Sequence, residues 1–364
     1  MGARIVEVTP EALRRQMLDA MARHKAPSVT FACAYGGKPV HLQALGLAKL
    51  TPQCAAVPAT AYPWFSVTKL FTATAVLQLC ETGRVEPDKP ISDYLPDTRL
   101  KGCGVPTVRH LLSHTSGLAN PIPISWVHLA GENGPSLNEL TARLLTKYPK
   151  LSFAPGTRFS YSNLNYLLLG LLIERVSGEP FEDYTGRHVL ETLGAKDTSF
   201  CVTPSTATGY SRPWSFMGIA ARFMLDRKFF GATQGRYTEL RPFAVDGAPY
   251  GGLVGPVADM LSLGRAMLAR GEIGSRKILQ EETADAALAP AKTPDGSPLP
   301  VGLGWHLGCI GSEHYAYHLG GGGFRSELRV YPRLDYAVAV IGNETSFPTE
   351  SLACLLVRLG PPLR

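Results

Sequence analysis

The chain lacks most of the signatures that announce an enzyme's chemistry. It has no Gly-x-Ser-x-Gly elbow, which removes the main mark of an α/β-hydrolase. His-Glu-x-x-His, a Walker A loop and a Gly-x-Gly-x-x-Gly at a strand-to-helix turn are also absent. The nine histidines show no zinc spacing, so no metal is expected. The seven cysteines are an odd number, lie far apart and include no Cys-x-x-Cys pair. That usage fits reduced thiols and a cytoplasmic location, not a disulfide framework. Met1 to Met21 carries Glu and Arg throughout and has no apolar core, so no signal peptide is expected. The longest strongly apolar stretch, around Tyr166 to Ile173, is too short to span a bilayer. The net charge of +6 is mild and its bases are scattered, which leaves little support for nucleic-acid binding. Repeats and low-complexity segments are missing as well.

What remains is a soluble globular composition. A chain of 364 residues can bury a full core and suggests one large or two intertwined domains. Its chemistry centres on Pro63-Trp64-Phe65-Ser66-Val67-Thr68-Lys69, which holds the only Ser-x-x-Lys. The apolar run Leu70 to Cys80 follows, closed by Gly83. A helix starting at or near Ser66 puts Ser66 and Lys69 on one face, about one turn apart. A hydroxyl, an amine and free backbone N–H groups then share a helix N-terminus, where developing negative charge is favoured. Taken alone, the pair is equally an N-cap serine and a solvated lysine. The helix has no polar face, however, so it reads as buried, and a buried lysine needs partners.

The ends of the chain read as strands and the middle as helices. Thr9-Pro10-Glu11 is a helix start. Val29 to Tyr35 and Val40 to Leu47 form a hairpin around Gly36-Gly37. Gly302 to Ile310, Tyr315 to Leu319, Ser326 to Tyr331 and Tyr336 to Gly342 read as antiparallel strands, with a covering helix from Thr349 to Leu359. Between them come a short helix capped by Thr107, an apolar helix from Leu164 to Val176, and a helix from Val257 to Leu268 opened by Gly251-Gly252. The expected architecture is α+β. Residues 1–70 and 251–364 form a mainly antiparallel sheet domain flanked by helices, and 71–250 form an inserted, mostly helical domain. Residues 201–250 are rich in aromatics and bases, among them Trp214 and Phe216. They read as a cap over a pocket, a partner or membrane-surface patch, or an irregular insertion.

Two further stretches could carry chemistry. Tyr161-Ser162-Asn163 precedes an apolar helix, where a loop can present a phenol and an amide to a cleft, or simply a packed tyrosine and a capping asparagine. His318-Leu319-Gly320-Gly321-Gly322-Gly323-Phe324 follows a strand, and its glycines either make a turn or admit a close approach.

In order, Ser66-x-x-Lys69, Tyr161-x-Asn163 and His318-x-Gly320 resemble the three motifs of the serine β-lactamase and penicillin-binding-protein superfamily. Arg109-His110-Leu111-Leu112-Ser113-His114-Thr115-Ser116-Gly117-Leu118 and Phe153-Ala154-Pro155-Gly156 through Asn163 resemble its intervening segments. The pattern is most similar to class C β-lactamases and family VIII carboxylesterases. The resemblance implies a β-lactamase/transpeptidase-like α+β fold with the site between a sheet domain and a helical domain. It also implies acyl-enzyme chemistry without a cofactor. Ser66 is the implied nucleophile, with Lys69 and Tyr161 handling its proton. Backbone N–H groups of Ser66 and Gly321 form the oxyanion hole, and Asn163 holds Lys69 or a substrate amide. A cation beside Tyr161 would push the phenol toward phenolate. Family members acting on β-lactams or D-Ala-D-Ala ends usually carry lysine where this chain has His318. A mostly neutral histidine there favours uncharged esters, while nearby Arg325 could restore the charge. Trp214 and Phe216 would suit an apolar acyl or alcohol group. The expected activity is a carboxylesterase acting on small or medium acyl esters, with weak β-lactam hydrolysis at its side, and the expected partner is a small-molecule ester or amide substrate. A β-lactamase, a D-amino-acid peptidase or amidase, an acyltransferase, and a sensor that acylates without turnover are the alternatives.

Overall fold

The computed structural model describes residues 10–98, 100–102 and 104–358. Its main feature is a seven-stranded antiparallel sheet. The first strands in the chain are β1 (Ser28–Tyr35), β2 (Lys38–Lys49) and the short β3 (Cys54–Ala55). The last are β4 (His306–Ile310), β5 (Glu313–Gly321), β6 (Arg325–Tyr331) and β7 (Tyr336–Gly342). Their spatial order is β4-β5-β6-β7-β1-β2-β3, so the two ends of the chain meet where β7 pairs with β1. The β1–β2 hairpin turns at Gly36 and Gly37, both at positive φ, which glycine adopts without steric cost. Gly302 to Gly304 do not join β4, which begins only at His306.

β1 and β7 are central and buried on both faces, so their period-2 alternation separates two apolar layers. Val29, Phe31 and Cys33 of β1, with Val338 and Val340 of β7, face the outer layer. There they pack on Leu13 and Met17 of the first helix (Pro10–His24) and on Leu352 and Leu356 of the last (Thr349–Arg358). Leu359 and residues 1–9 lie outside the described residues. The opposite face presents Ala32, Ala34, Ala337 and Ala339 to the larger core. These small side chains let the Val257–Leu268 helix lie close: a Cβ on Gly264 would come 3.0 Å from Leu328 and 3.3 Å from Ala337. That helix starts after the short Val254–Gly255 strand, which pairs with Tyr62–Pro63, and not directly at Gly251-Gly252.

The middle of the chain supplies the helices Thr68–Glu81, Val108–Leu112, Leu137–Lys147 and Asn163–Ser177. Thr107 caps the second with a capping box, its side chain accepting from the His110 N–H. Gly178, at φ 77°, ends the last in the left-handed conformation. Residues 201–250 also hold β structure. Gly209–Ser211, Phe230–Gln234 and Tyr237–Leu240 form a three-stranded sheet, Phe243–Val245 pairs with Val127–Leu129, and Phe216–Met224 is a helix. Among the described residues no helix is long and apolar enough to cross a membrane. Cys33, Cys54, Cys80, Cys201, Cys309 and Cys354 are free thiols, and Cys103 lies outside the described residues.

Candidate active site

Ser66 sits where the sheet edge meets the Thr68–Glu81 helix. It lies in a single 3₁₀ turn, Phe65–Val67, and serves as no helix cap. The turn is pinned from both sides. Trp64 donates its backbone N–H to Leu253 O (2.8 Å) and its indole N–H to Gly255 O (2.9 Å), while Ser326 Oγ donates to Trp64 O (2.6 Å). Phe65 is thereby held at φ 49°, a left-handed value that a bulky residue rarely adopts. The strain sits one residue before Ser66.

Ser66 Oγ has two polar neighbours. Lys69 Nζ lies 3.1 Å away, and the Tyr161 hydroxyl donates to it at 2.9 Å. Lys69 is fully buried and donates to Tyr250 O at 2.6 Å. The loop carrying Tyr250 is tied down by the same helix: Thr72 Oγ1 donates to Pro249 O, and Thr68 Oγ1 accepts from the Leu253 N–H. Lys69 Nζ faces the rings of Tyr161, Tyr250 and Tyr166 at 5.1, 5.2 and 5.5 Å. No ion pair to a carboxylate forms at Lys69 among the described residues. Burial therefore decides its charge and holds its pKa well below the usual lysine value.

The expectation for Tyr161 is corrected. Burial raises its pKa, outweighing the Ser66 hydrogen bond that pulls the other way. A neighbouring cation would lower it, but that amine is itself driven toward neutrality. The pair at Ser66 is thus a neutral-leaning amine and a protonated phenol.

Of the two roles expected of Asn163, the contact with Lys69 is not made. It opens the Asn163–Ser177 helix, and Asn120 Oδ1 accepts from both its backbone N–H (3.0 Å) and its side-chain Nδ2 (3.3 Å). Its amide is therefore anchored to Asn120 and not to Lys69. Its Oδ1, buried without a partner, belongs to a residue lining the same cavity as Ser66. Asn120 closes the His114-to-Leu118 stretch and gave no signal of its own.

His318 is buried below the cavity and does not line it. Its Nδ1–H donates to Leu319 O at 2.9 Å, which leaves Nε2 bare and unpartnered. Two histidines that motif reading passed over join it. His114 Nδ1 accepts from the Ser162 N–H (3.1 Å), so its proton is on Nε2, which has no partner either. His306 is 4.8 Å from His318 and 6.2 Å from His114, centroid to centroid. Burial is the largest cause of the lowered pKa of all three, and it takes that of His306 to about 4. Among the described residues no cluster of His, Cys, Asp or Glu could hold a metal ion.

Above Ser66 lies an open cavity of about 540 Å³. Asn163, Tyr250, Gly321 and Arg325 line it with Ser66, and Ile122, Leu225, Leu240 and Phe243 give it a mostly apolar wall. The glycines of the His318 strand have separate tasks. A Cβ on Gly320 would fall 2.1 Å from Trp64 O, and one on Gly322 2.3 Å from the Phe65 ring. At Gly321 it would meet only Arg325 Nη1, at 2.9 Å. The protein's own backbone and ring occupy the space at 320 and 322, while Gly321, Gly322 and Gly323 all border the cavity. The Arg325 guanidinium forms no ion pair among the described residues, and its buried Nε has no hydrogen-bond partner. Trp214 does not face the cavity. It is 92% exposed, because the residue before the Ser215 N-cap points outward there. The Phe216 side chain lies outside what is described.

Known proteins share this framework. Protein flp of Staphylococcus aureus (strain MW2) is 29% identical over 194 residues, which is 51% of this chain. The match spans only 38% of that protein's length. The octameric penicillin-binding protein homologue from Pyrococcus abyssi superposes with a TM-score of 0.78 at 25% identity, covering 97% of this chain and 77% of the other. EstCE1, described as a hydrolase with promiscuous acyltransferase activity, superposes at 0.76 and 20% identity, covering 96% and 99%. The Beta-lactamase family model matches residues 13–357, nearly the whole length, and the chain belongs to that family.

Proposed function

We propose that this protein is a serine hydrolase working through an acyl-enzyme, and that it cleaves small or medium acyl esters. The observation that carries this reading is Ser66 Oγ at 3.1 Å from a neutral-leaning amine and 2.9 Å from a phenol, at the floor of an apolar cavity. Ser66 Oγ attacks the ester carbonyl and its proton passes to Lys69 Nζ. The backbone N–H groups of Ser66 and Gly321 receive the oxyanion. The C–O bond then breaks, and a proton from the Lys69–Tyr161 pair goes to the departing alkoxide. Water attacks the acyl-enzyme by the same route and releases the acid. The ester preference rests on charge: the His318 imidazole, buried beside Tyr161 and His306, is held neutral and supplies no cation to draw in a substrate carboxylate. The likeness to EstCE1 supports the fold alone.

One observation favours a second reading. The unpaired Arg325 on the cavity wall suits a carboxylate-bearing lactam or peptide. Nitrophenyl butyrate, its matched anilide, nitrocefin and a D-Ala peptide separate the two. Ester hydrolysis that disappears in Ser66→Ala is expected. Equal rates for Ser66→Ala and wild type would sink the proposal. Faster turnover of the carboxylate-bearing substrates, lost in Arg325→Ala, would transfer it to the second reading. Intact-mass spectrometry adds a third arm, since a lasting adduct without released product marks a sensor.

A further inference from the structure

The outer surface of the 201–250 segment combines two features that a solvated face normally avoids together. Trp214 and Phe223 are 92% and 87% exposed, and Ile219 is 44% exposed. In the helix Phe216–Met224, capped by Ser215, Trp214 and Ile219 occupy the positions that flank a helix start. Ile219, Arg222 and Phe223 follow at i, i+3 and i+4, so the outward stripe is apolar with one base. The other side of the same segment, through Ala221 and Leu225, lines the cavity above Ser66. Ile122, at the cavity wall, is 64% exposed.

Charge is concentrated on this segment too. Residues 212–241 hold six bases (Arg212, Arg222, Arg227, Lys228, Arg236, Arg241) against two acids, Asp226 and Glu239. Arg212 pairs with Glu344 and Lys228 with Glu132. Arg222, Arg227, Arg236 and Arg241 are exposed and form no ion pair among the described residues. Protruding aromatic side chains with Arg222 on the same helical stripe, on a segment rich in uncompensated bases, suit an anionic lipid surface, where tryptophan sits at headgroup level and bases meet lipid charge. A second copy of the chain would bring a like-charged face against this one. We propose that the Trp214–Phe223 face docks on anionic lipid bilayers, holding the mouth of the cavity at the interface where apolar acyl substrates concentrate. Docking of this kind is peripheral and needs no membrane-spanning helix.

The test uses the whole protein and reads binding, so its outcome is independent of which acyl bond Ser66 cleaves. Trp64, Trp126 and Trp305 are buried, which makes Trp214 an exposed intrinsic reporter. Vesicles of phosphatidylglycerol mixed with phosphatidylcholine should co-sediment the protein, shift its fluorescence to the blue and shield it from acrylamide. Pure phosphatidylcholine should bind at least tenfold more weakly, and 0.5 M salt should weaken the anionic binding. Phe223→Ser and the pair Arg222→Glu/Arg227→Glu should each weaken binding at least tenfold while hydrolysis of a water-soluble ester is unchanged, which also shows that they fold. Absence of binding to the anionic vesicles, or binding unaffected in both variants, overturns the proposal. So does a blue shift that follows protein concentration without vesicles and accompanies a dimer mass in light scattering.

Discussion

Gly320→Ala tests whether the sheet edge positions Ser66. The added Cβ would stand 2.1 Å from Trp64 O and 2.2 Å from Ser326 Oγ, where ordinary contact begins at 3.4 Å. Those two atoms are hydrogen-bonded to each other at 2.6 Å, so neither can turn aside alone. Trp64 is also fastened through its backbone to Leu253 and through its indole to Gly255. A shift of about 1 Å in the Trp64 carbonyl must therefore travel through Phe65 into Ser66. Overpacking of this kind costs about 1–3 kcal/mol, which in a chain of this size lowers Tm by about 1–4 °C. A 1 Å displacement of a reacting group lowers turnover on the order of a hundredfold. Gly321→Ala is the internal control. Its Cβ meets only the far end of the flexible Arg325 side chain, so Tm should stay within about 1 °C of wild type. Thermal unfolding by circular dichroism and turnover of nitrophenyl butyrate measure both effects. Wild-type Tm and turnover in Gly320→Ala would refute the reasoning, as would equal destabilisation by the two substitutions.

Lys69→Met removes the amine while keeping an unbranched side chain, and turnover should fall about 10²–10⁴-fold, the usual loss for a positioned base. A far-UV spectrum like that of wild type, with activity above a tenth of it, would exclude Lys69 as the proton acceptor. His306→Gln separates one titration from the rest of the protein. The folded pKa of His306 is lowered to about 4 from 6.5, so the unfolded chain takes up the proton first as the solution is acidified. Its contribution to stability is complete above pH 6.5 and is lost as pH falls toward 4, amounting to about 2 kcal/mol between pH 7 and 5. Urea unfolding at both pH values should show the variant losing about that much less than wild type. Identical losses would mean that His306 is already protonated in the folded protein.

Much of the sheet was legible because its signals are local. Gly36-Gly37 fixes the first hairpin, and β5 to β7 are short β-prone runs joined by short turns, β7 being apolar throughout. The Thr68–Glu81 helix read as buried because Leu70 to Leu79 offers no polar face, and every residue from Thr68 to Leu77 is buried. Residues 201–250 resisted for the opposite reason. Their strands are three to five residues long, and one finds its partner at Val127–Leu129, far off in sequence. The outward direction of Trp214 depends on that packing and not on composition. His306 was invisible for a related reason: it nears His318 only because β4 pairs with β5 in the register His306↔Tyr317. The charge state of Tyr161 is not legible in sequence because it is set by how completely the phenol itself is buried, and that burial outweighs its hydrogen bond to Ser66.

Lys69, the three histidines and Tyr161 all lean toward their neutral forms, so the resting site holds little charge of its own. Proton transfer from Ser66 would create an ammonium at Lys69 and an oxyanion on the substrate in the same step. The ammonium would then sit among three tyrosine rings and the Tyr250 carbonyl, contacts that are stronger to a cation than to an amine. These groups would favour the charge-separated state over the resting one, and only interactions that strengthen on the way to the transition state accelerate a step. A carboxylate beside Lys69 would work against this. It would hold the lysine charged from the start, and the hydroxyl of Ser66 would have no base.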